Sequence, residues 1–439
     1  MIRWPRWIGW VILLAFVLRI AALMMYGLNL TLHSDDQGYV HSAIRLLQTG
    51  TLTYRGPSEP ARFELDPTVK IMPGQPFLLA AIFWLFGTGT VGMYAAKIAT
   101  ILIGLAGIYG IYLLGRYCFG EAAGLMAALL LAVSVEQILT DNLLLTETPF
   151  MTSLVYLVYF SVKLASERKP VYFYALLFFY LVALFFKATI ALYPLVLFVY
   201  LLFKRYPFPL MIRQAAMALI AILVVLGPWW VRNYVHYHQF IPLTAGDGNP
   251  LLMGTYQGVG YPNREPLSTL LQRLQTEYPN ADSFTWMQIQ KKVAMERLRA
   301  WWQSSPGSLL YSYLVRKPII LWGGTFYWIE IFKISPGIVV VLHHLAVVAG
   351  AAGGGLYLLL SRRNRGDMLF IAMVLGYFTI VYSVYFVFGR YNVAEMPFVY
   401  LGIRPGLLPY WRRMQGRRGG GSAAGLGAWD DVGRLPFIL

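Results

Sequence analysis

The chain has 439 residues, of which 58% are hydrophobic and only 13% are charged, and its formal net charge is +16. The apolar residues come in runs too long for a soluble core, which excludes a soluble enzyme and indicates a polytopic membrane protein. These runs do not alternate polar and apolar residues, so we expect one all-α membrane domain. The positive charge lies in short clusters between apolar runs, which predicts membrane lipid rather than nucleic acid as a partner.

Several signatures of other functions are missing from the sequence. Cys118 is the only cysteine, so no intramolecular disulfide can form. There is no P-loop and no His-Glu-x-x-His motif, so neither ATP hydrolysis nor zinc proteolysis is supported. His343 and His344 are adjacent and therefore point to different faces of a helix, so we predict no metal site from them.

Apolar runs and basic clusters together predict the membrane topology. Basic clusters mark the cytoplasmic side of a membrane, and all of them share one side if about ten helices cross it. The predicted spans are residues 8–29, 91–117, 122–140, 147–166, 171–187, 189–203, 213–235, 337–361, 367–388 and 393–410. In this topology residues 76–88 do not cross, and residues 308–330 form a helix at the outer surface. If both crossed, Asp35 and Glu147 would face opposite sides, and this alternative topology stays open.

Two long loops, residues 30–75 and 236–307, are predicted on the extracytoplasmic side. In the second loop, residues 283–302 carry apolar side chains at helical spacing, so we expect a small helical cap over the membrane domain. Residues 411–439 are basic and then glycine-rich. Such a composition buries little surface, and it predicts a disordered cytoplasmic tail.

The first loop carries two adjacent carboxylates, Asp35 and Asp36, just after the first predicted span. A carboxylate at the boundary between lipid and water can act as a general base toward an acceptor hydroxyl. The alternative is structural, because Tyr39 and Ala43 follow at helical spacing and either carboxylate could cap a helix that starts near Gln37. The two roles are compatible.

Further candidates are charged residues at the ends of predicted spans. Glu147 lies at a helix start, where a carboxylate could shape a site or only complement the helix dipole. Arg232 ends one span and Arg390 begins the last extracytoplasmic turn. Either guanidinium could bind a phosphate or anchor the chain at the interface. Lys70 and Lys187 are weaker candidates of the same kind, with snorkelling as the alternative.

Five short motifs follow one another along the chain. They are Asp35-Asp36-Gln37-Gly38-Tyr39, Met72-Pro73-Gly74-Gln75-Pro76, Thr146-Glu147-Thr148, Pro228-Trp229-Trp230-Val231-Arg232-Asn233 with Phe240-Ile241-Pro242-Leu243-Thr244, and Arg390-Tyr391 with Pro397. Each motif is weak alone, but their order is fairly specific. In this order they resemble the GT-C glycosyltransferases that use lipid-linked sugars, specifically the group of protein O-mannosyltransferases and lipid A aminoarabinose transferases.

This resemblance implies an all-α GT-C fold over residues 1–410, with juxtamembrane helices and loops on the extracytoplasmic side. It implies an inverting glycosyltransferase that moves a sugar from a polyprenyl-phosphate donor to a protein, lipid or glycan. The few lysines in the loops and the lack of a long cytosolic domain predict a location in the plasma (inner) membrane. Asp35 is the predicted catalytic residue. The predicted substrate-binding residues are Asp36, Tyr39, Lys70, Glu147, Lys187, Arg232, Asn233, Arg390 and Tyr391. The lipid-linked sugar is then substrate and partner, no metal ligand is assigned, and a divalent cation requirement stays open.

A membrane transporter or lipid flippase for envelope polysaccharide precursors is the alternative function. It is motivated by charged residues in or beside apolar segments, namely Lys97, Lys187 and Glu330. A transporter predicts inverted repeats and broken helices. Neither is evident in the sequence, where residues 350–355 are a candidate flexible segment. A third class, an assembly protein for envelope polysaccharide, would not need Asp35.

Overall fold

The computed structural model describes residues 6–56, 59–261, 265–361 and 364–403, and most of these residues are helical. The tail predicted at 411–439 lies outside the described residues. The first nine α-helices are α1 (Arg6–Tyr26), α2 (Asp35–Thr49), α3 (Gly74–Phe86), α4 (Thr90–Phe119), α5 (Glu121–Val133), α6 (Val135–Asp141), α7 (Glu147–Glu167), α8 (Pro170–Phe186) and α9 (Tyr193–Phe203). The others are α10 (Phe208–Tyr237), α11 (Gly248–Gly254), α12 (Leu267–Glu277), α13 (Ser283–Ser304), α14 (Pro306–Tyr311), α15 (Lys317–Gly323), α16 (Pro336–Leu360), α17 (Arg365–Ser383) and α18 (Met396–Ile403).

Among the described residues, six helices are long and apolar enough to cross a membrane, namely α1, α4, α7, α10, α16 and α17. A seventh candidate is the pair α5 and α6, which is bent by 65° between its two helices. Helices α8 and α9 are shorter and apolar, and α18 covers the described part of the last predicted span. Each predicted span therefore coincides with one of these elements, and the chain is a multi-pass helical membrane protein.

The two ends of the helical bundle differ in the side chains they bring together. At one end, Lys204 forms an ion pair with Asp367 at 2.5 Å, and Arg168 donates to the carbonyl oxygen of Arg205 at 3.3 Å. This end contains the basic loops that the charge pattern placed together. The opposite end holds the C-terminal ends of α1, α8 and α17 and the N-terminal end of α7. We call it the site end, and its assignment to the extracytoplasmic face stays a prediction from the basic clusters.

Helix α3 lies at the site end, in agreement with the prediction that residues 76–88 do not cross. Gly74 packs closely on the end of α8, since a Cβ there would lie 2.5 Å from the carbonyl oxygen of Phe185. At the start of α4, Lys97 donates to the carbonyl oxygen of Leu30 at 2.7 Å, which holds that helix beside the end of α1. Both ends of α3 are therefore on the same side of the bundle.

The helix predicted at 308–330 is shorter than expected. It runs through α14, a π-helical turn and α15, and ends at Gly323. The following residue, Gly324, packs against the backbone of Gly389, where a Cβ would lie 2.9 Å from the Gly389 Cα. Asn392 strengthens this contact by donating to the carbonyl oxygen of Gly324 at 2.8 Å. The helix therefore ends at Gly323, and the backbone that follows it contacts the segment that carries Arg390.

The prediction of a flexible segment at 350–355 is wrong. These residues lie inside α16, where small residues allow close packing on α18. A Cβ on Gly350 would lie 2.5 Å from the carbonyl oxygen of Val399, and one on Gly353 would lie 2.3 Å from that of Gly402. Gly350 and Gly353 therefore allow close contact between α16 and α18.

The loop from 236 to 307 forms the expected helical cap, which we define as α11, α12 and α13. Helix α13 begins where the Asp282 side chain accepts a hydrogen bond from the Thr285 amide at 2.7 Å. The cap also contacts the first loop, because Asp66 accepts a hydrogen bond from the Ser283 amide at 2.9 Å. Its core includes Phe63 of that loop packed with Trp286. The two long loops therefore cover the site end together.

Candidate active site

Asp35 is the first residue of α2 and lies at the site end of the bundle. Its side chain is 31% exposed. The Tyr54 hydroxyl donates to Asp35 Oδ1 at 2.8 Å, and Arg390 Nη1 donates to Asp35 Oδ2 at 2.6 Å. Asp35 is therefore a carboxylate held from two sides that still has access to a ligand.

Asp36 has a different environment from its neighbour. It is buried and accepts hydrogen bonds from Thr31 Oγ1 at 2.5 Å, from the Leu32 amide at 2.7 Å and from the Ser34 amide at 3.1 Å. These bonds tie the turn between α1 and α2 to the start of α2. Because its oxygens are already used by this turn, Asp36 contributes to the shape of the loop, whereas Asp35 faces the site.

Arg390 joins Asp35 to a second carboxylate. Its Nε and Nη2 donate to Glu147 Oε1 and Oε2 at 2.7 Å and 3.2 Å. Lys187 Nζ lies 3.1 Å from Glu147 Oε1, so Glu147 binds two cations. Burial acts to lower the pKa of Arg390, but Glu147 and Asp35 together raise it well above its usual value. The guanidinium therefore stays charged.

These four ion-paired residues come from distant parts of the chain. Asp35 follows α1, Glu147 starts α7, Lys187 follows α8 and Arg390 follows α17. Four span ends meet here because the intervening spans alternate in direction. We call Asp35, Glu147, Lys187 and Arg390 the charged cluster.

Aromatic side chains form the walls around the charged cluster. The rings of Tyr39 and Tyr54 lie 5.3 Å apart, and the Tyr391 ring stacks on Tyr382 at 5.0 Å. The Lys187 ammonium lies 5.9 Å from the centroid of Tyr391. Burial raises the pKa of Tyr391 to about 12, so this hydroxyl remains a neutral group. The predicted residues Tyr39 and Tyr391 are therefore in the same site as Asp35.

The other predicted residues lie outside the charged cluster. Lys70 pairs with Glu59 at 2.7 Å, and its ammonium lies 5.4 Å from the centroid of the Tyr54 ring. Arg232 donates to the carbonyl oxygen of Thr68 at 2.7 Å and to Asn233 Oδ1 at 3.0 Å. Asn233, which is buried, donates to the carbonyl oxygen of Ile241 at 3.1 Å. The structure thus places Arg232 and Asn233 at the junction of the two long loops.

Sequence reasoning missed two residues of the site. Tyr54 lies in a loop without any periodic pattern, so no signal in the sequence indicates its contact with Asp35. Glu395 is buried, and its Oε1 lies 3.5 Å from the Tyr382 hydroxyl. Its Oε2 has no hydrogen-bond partner in the described part of the chain. Glu395 immediately precedes the apolar helix α18, and Glu147 is the first residue of the apolar helix α7, so an acidic residue at an apolar helix start could have identified both.

No group of three or more His, Cys, Asp or Glu side chains among the described residues is arranged to hold a metal ion. The predicted contrast between the adjacent histidines agrees with their contacts. His343 Nδ1 lies 2.9 Å from Glu136 Oε2, while His344 Nε2 lies 2.9 Å from the carbonyl oxygen of Gly323. Both therefore serve contacts between helices.

Comparison with known proteins agrees with this fold. Residues 69–231 match the family model described as dolichyl-phosphate-mannose-protein mannosyltransferase. No curated protein sequence matches the chain significantly. The matched range contains α3 to α9 and most of α10. It therefore includes both Glu147 and Lys187.

Solved structures with the same arrangement of helices include the archaeal oligosaccharyltransferase AglB from Archaeoglobus fulgidus, in complex with an inhibitory peptide and a dolichol-phosphate. It aligns at 14% identity and a TM-score of 0.54, over 96% of this chain and 52% of AglB. ArnT from Cupriavidus metallidurans, bound to undecaprenyl phosphate, aligns at 17% identity and a TM-score of 0.42, over 93% of this chain and 79% of ArnT. The chain spans about half the length of the oligosaccharyltransferase.

The chain is thus a multi-pass membrane protein with the GT-C fold. The resemblance to GT-C glycosyltransferases that the sequence motifs indicate is confirmed.

Proposed function

We propose that this protein is an inverting glycosyltransferase that moves a sugar from a polyprenyl-phosphate donor to an acceptor on the extracytoplasmic face of the plasma (inner) membrane. The observation that carries the proposal is a partly exposed carboxylate, Asp35, held 2.6 Å from the guanidinium of Arg390 at the end of the spans. A second cation, Lys187, forms an ion pair with Glu147, whose carboxylate also binds Arg390. A base for the acceptor and cations for the phosphate are thus adjacent.

The chemistry follows from these positions. Asp35 takes the proton of the acceptor hydroxyl as that oxygen bonds to the anomeric carbon. The bond from the anomeric carbon to the phosphate oxygen breaks, and its electron pair leaves on the phosphate. Attack from the face opposite the phosphate inverts the configuration, which needs one base rather than the two carboxylates of a retaining hydrolase.

Arg390 and Lys187 stabilise the leaving group in this mechanism. Negative charge on the phosphate grows as the bond breaks, so cations placed beside it favour the transition state over the ground state. Glu147 is only 1% exposed and is bound to both cations. It orients the cations and is not accessible to an acceptor, which favours Asp35 as the base.

The comparisons support the class of substrate. The family description names dolichyl-phosphate-mannose, and the oligosaccharyltransferase that shares this fold was solved with a dolichol-phosphate. A polyprenyl phosphate suits a site at the membrane end of the helices, because its chain stays in lipid while its phosphate meets Arg390. The sugar and the acceptor are chosen by loops that vary on one fold.

The test measures release of free lipid phosphate from a panel of radiolabelled polyprenyl-phosphate sugars by purified protein in lipid. Wild type is compared with Asp35→Asn. The matched control is Asp247→Asn, because Asp247 is also a partly exposed, ion-paired carboxylate, 2.8 Å from Lys291 in the cap. We expect release by wild type and the control, but not by Asp35→Asn.

Two results would contradict this proposal. Equal release by Asp35→Asn and wild type would remove Asp35 as the base. No release from any donor by folded wild-type protein would favour the transporter alternative, which a flux assay in sealed vesicles would then examine.

A further inference from the structure

The two oxygens of Asp35 have different partners. Oδ2 faces the positive charge of Arg390, whose Nη1 lies 2.6 Å away, whereas Oδ1 accepts a hydrogen bond from the Tyr54 hydroxyl at 2.8 Å. Arg390 also holds Glu147 through Nε and Nη2, so its guanidinium stays in place when Nη1 exchanges Asp35 for another anion. A donor phosphate at Nη1 would leave Oδ2 free while Oδ1 remained bound.

Tyr54 is held firmly enough to orient a carboxylate. The side chain is buried and its ring lies 5.3 Å from the ring of Tyr39. The ring also packs against the backbone of the same helix, α2, at Gly38, which has no side chain to displace it. A Cβ on Gly38 would lie 2.9 Å from Tyr54 Cε2 and 3.3 Å from the carbonyl oxygen of Arg55. Any larger residue at position 38 would therefore displace the ring.

Tyr54 also keeps its proton over the working pH range. Burial and the nearby Asp35 carboxylate raise the pKa of Tyr54 well above its usual value. The hydroxyl is therefore a permanent donor to Asp35 and does not compete with it as a base.

We propose that Tyr54 is a positioning residue that fixes Asp35 through Oδ1, so that Oδ2 is the atom that accepts the proton of the acceptor hydroxyl. This inference rests on the proposed function. The proton moves from the acceptor oxygen to Oδ2 as that oxygen bonds to the anomeric carbon. The electron pair of the broken bond leaves with the phosphate at Arg390. Tyr54 exchanges no proton and touches no reacting atom.

Charged and titratable groups around Asp35 come from several elements. Arg390 and Tyr391 lie in the turn before α18, and Tyr39 lies in α2. Glu147 lies across Arg390, at the start of α7. All of them remain in Tyr54→Phe, so this variant removes only the hydrogen bond to Oδ1.

The test is the kinetics of Tyr54→Phe with a donor that wild type uses. A hydrogen bond to a charged group stabilises enough to predict a kcat lower by about 10- to 100-fold. The KM values for donor and acceptor stay within about twofold, because Tyr54 contacts neither substrate. The acid-side fall of kcat moves to higher pH, by up to about one unit, since the lost bond had favoured the ionised carboxylate.

Two further variants separate positioning from folding. Gly38→Ala pushes the Tyr54 ring away and is expected to lower kcat and to move the acid-side fall in the same direction. The matched control is Tyr156→Phe, which loses a hydroxyl bond to the Ala106 carbonyl oxygen at 3.0 Å, remote from the site. Its kcat and pH profile are expected to equal those of wild type.

An unchanged kcat in Tyr54→Phe would overturn the inference, while the proposed function would stand on the loss of activity in Asp35→Asn measured beside it. A lower kcat with a raised KM and an unmoved pH profile would also overturn it, since that pattern indicates a structural role. Absence of transfer by wild type would overturn the proposed function and the inference together.

Discussion

Two Arg–Asp ion pairs in this protein have the same separation but different surroundings. In the membrane domain, Arg19 Nε lies 2.6 Å from Asp141 Oδ2, and both side chains are 0% exposed. In the charged cluster, Arg390 lies at the same 2.6 Å from Asp35, which is 31% exposed. The distance between the charged atoms does not distinguish the two pairs. They differ because Asp35 is accessible to a ligand and Asp141 is not.

The Arg19 pair is satisfied entirely by the protein. Arg19 Nη1 and Nη2 donate to the carbonyl oxygens of Ala132 and Leu131 at 2.9 Å and 3.4 Å. These carbonyls lie at the break between α5 and α6, where helical hydrogen bonds are lost. Broken helices line the substrate site in many transporters, and the 65° bend between α5 and α6 is such a break, which was not evident in the sequence. A structural arginine fills the break, so it does not favour transport.

The partners of each carboxylate identify its role. Asp141 accepts further hydrogen bonds from Gln137 and Thr148, both at 2.7 Å, and so leaves nothing for a ligand. Asp35 is 31% exposed and keeps one face open beside Arg390. Changes in the charged cluster should therefore alter rate, whereas changes at Arg19 should alter stability.

The largest expected effect is on turnover in Asp35→Asn. Loss of a general base predicts a rate lower by about 10²- to 10⁴-fold. Loss of its negative charge beside Arg390 should leave binding of polyprenyl phosphate unchanged or tighter. Steady-state kinetics and an equilibrium binding assay measure the two quantities separately. Weaker phosphate binding and a lower Tm would instead place Asp35 with Arg19 as a structural residue.

The next effect is on stability in Arg19→Met. The variant leaves Asp141 buried without its cation, which predicts a loss of about 3–5 kcal/mol in the free energy of unfolding. The double variant Arg19→Met with Asp141→Leu should recover part of that loss, because no unpaired charge remains. Thermal unfolding in detergent measures both. A single variant as stable as wild type would show that the pair contributes no stability.

A smaller effect is expected for Lys187→Met, which removes one of the two cations of the charged cluster. The contribution of a charged hydrogen bond predicts a kcat/KM for the donor that is lower by about 10-fold or more. The fold should stay intact, because Arg390 still binds Glu147. Lys291→Met in the cap is the matched control, with an ion pair to Asp247. Equal donor kinetics in the two variants would exclude Lys187 from the phosphate site.

The smallest effect concerns Lys317, a buried cation for which no carboxylate lies at ion-pair distance within the described ranges. It donates to the Tyr385 carbonyl oxygen at 3.0 Å. Burial lowers its pKa to about 7, whereas an unfolded lysine titrates near about 10.4. Between these values the unfolded state binds more protons, so the contribution of Lys317 makes the fold more stable as pH rises.

For Lys317 we therefore expect a gain of up to about 2 kcal/mol in unfolding free energy from pH 7 to pH 9. Lys317→Met should lack that gain. The measurement is the difference in Tm between the two pH values for each protein. An equal difference in both proteins would show that Lys317 is charged in the folded state.

The sequence predicts the helical bundle and the shared side of the charged residues for a physical reason. Span direction alternates, so the ends that carry Asp35, Glu147, Lys187 and Arg390 lie on one side of the membrane once the spans are placed, whereas their ion pairs are seen only in the structure. The sequence does not separate Arg390 from Arg232, because both follow an apolar span. Only tertiary contacts show that Arg390 binds carboxylates and Arg232 binds backbone carbonyls. Tyr54 was beyond prediction because loop contacts leave no periodic signal.

The charged cluster contains two carboxylates and two cations, so its formal charges balance before any ligand binds. Under the proposed function, the donor is a phosphodiester with one negative charge, whereas the product is a lipid phosphomonoester that carries up to two. The product should then be bound more strongly than the donor, and its escape should limit the catalytic cycle. A burst of product in the first turnover would reveal this, and a linear time course would contradict it.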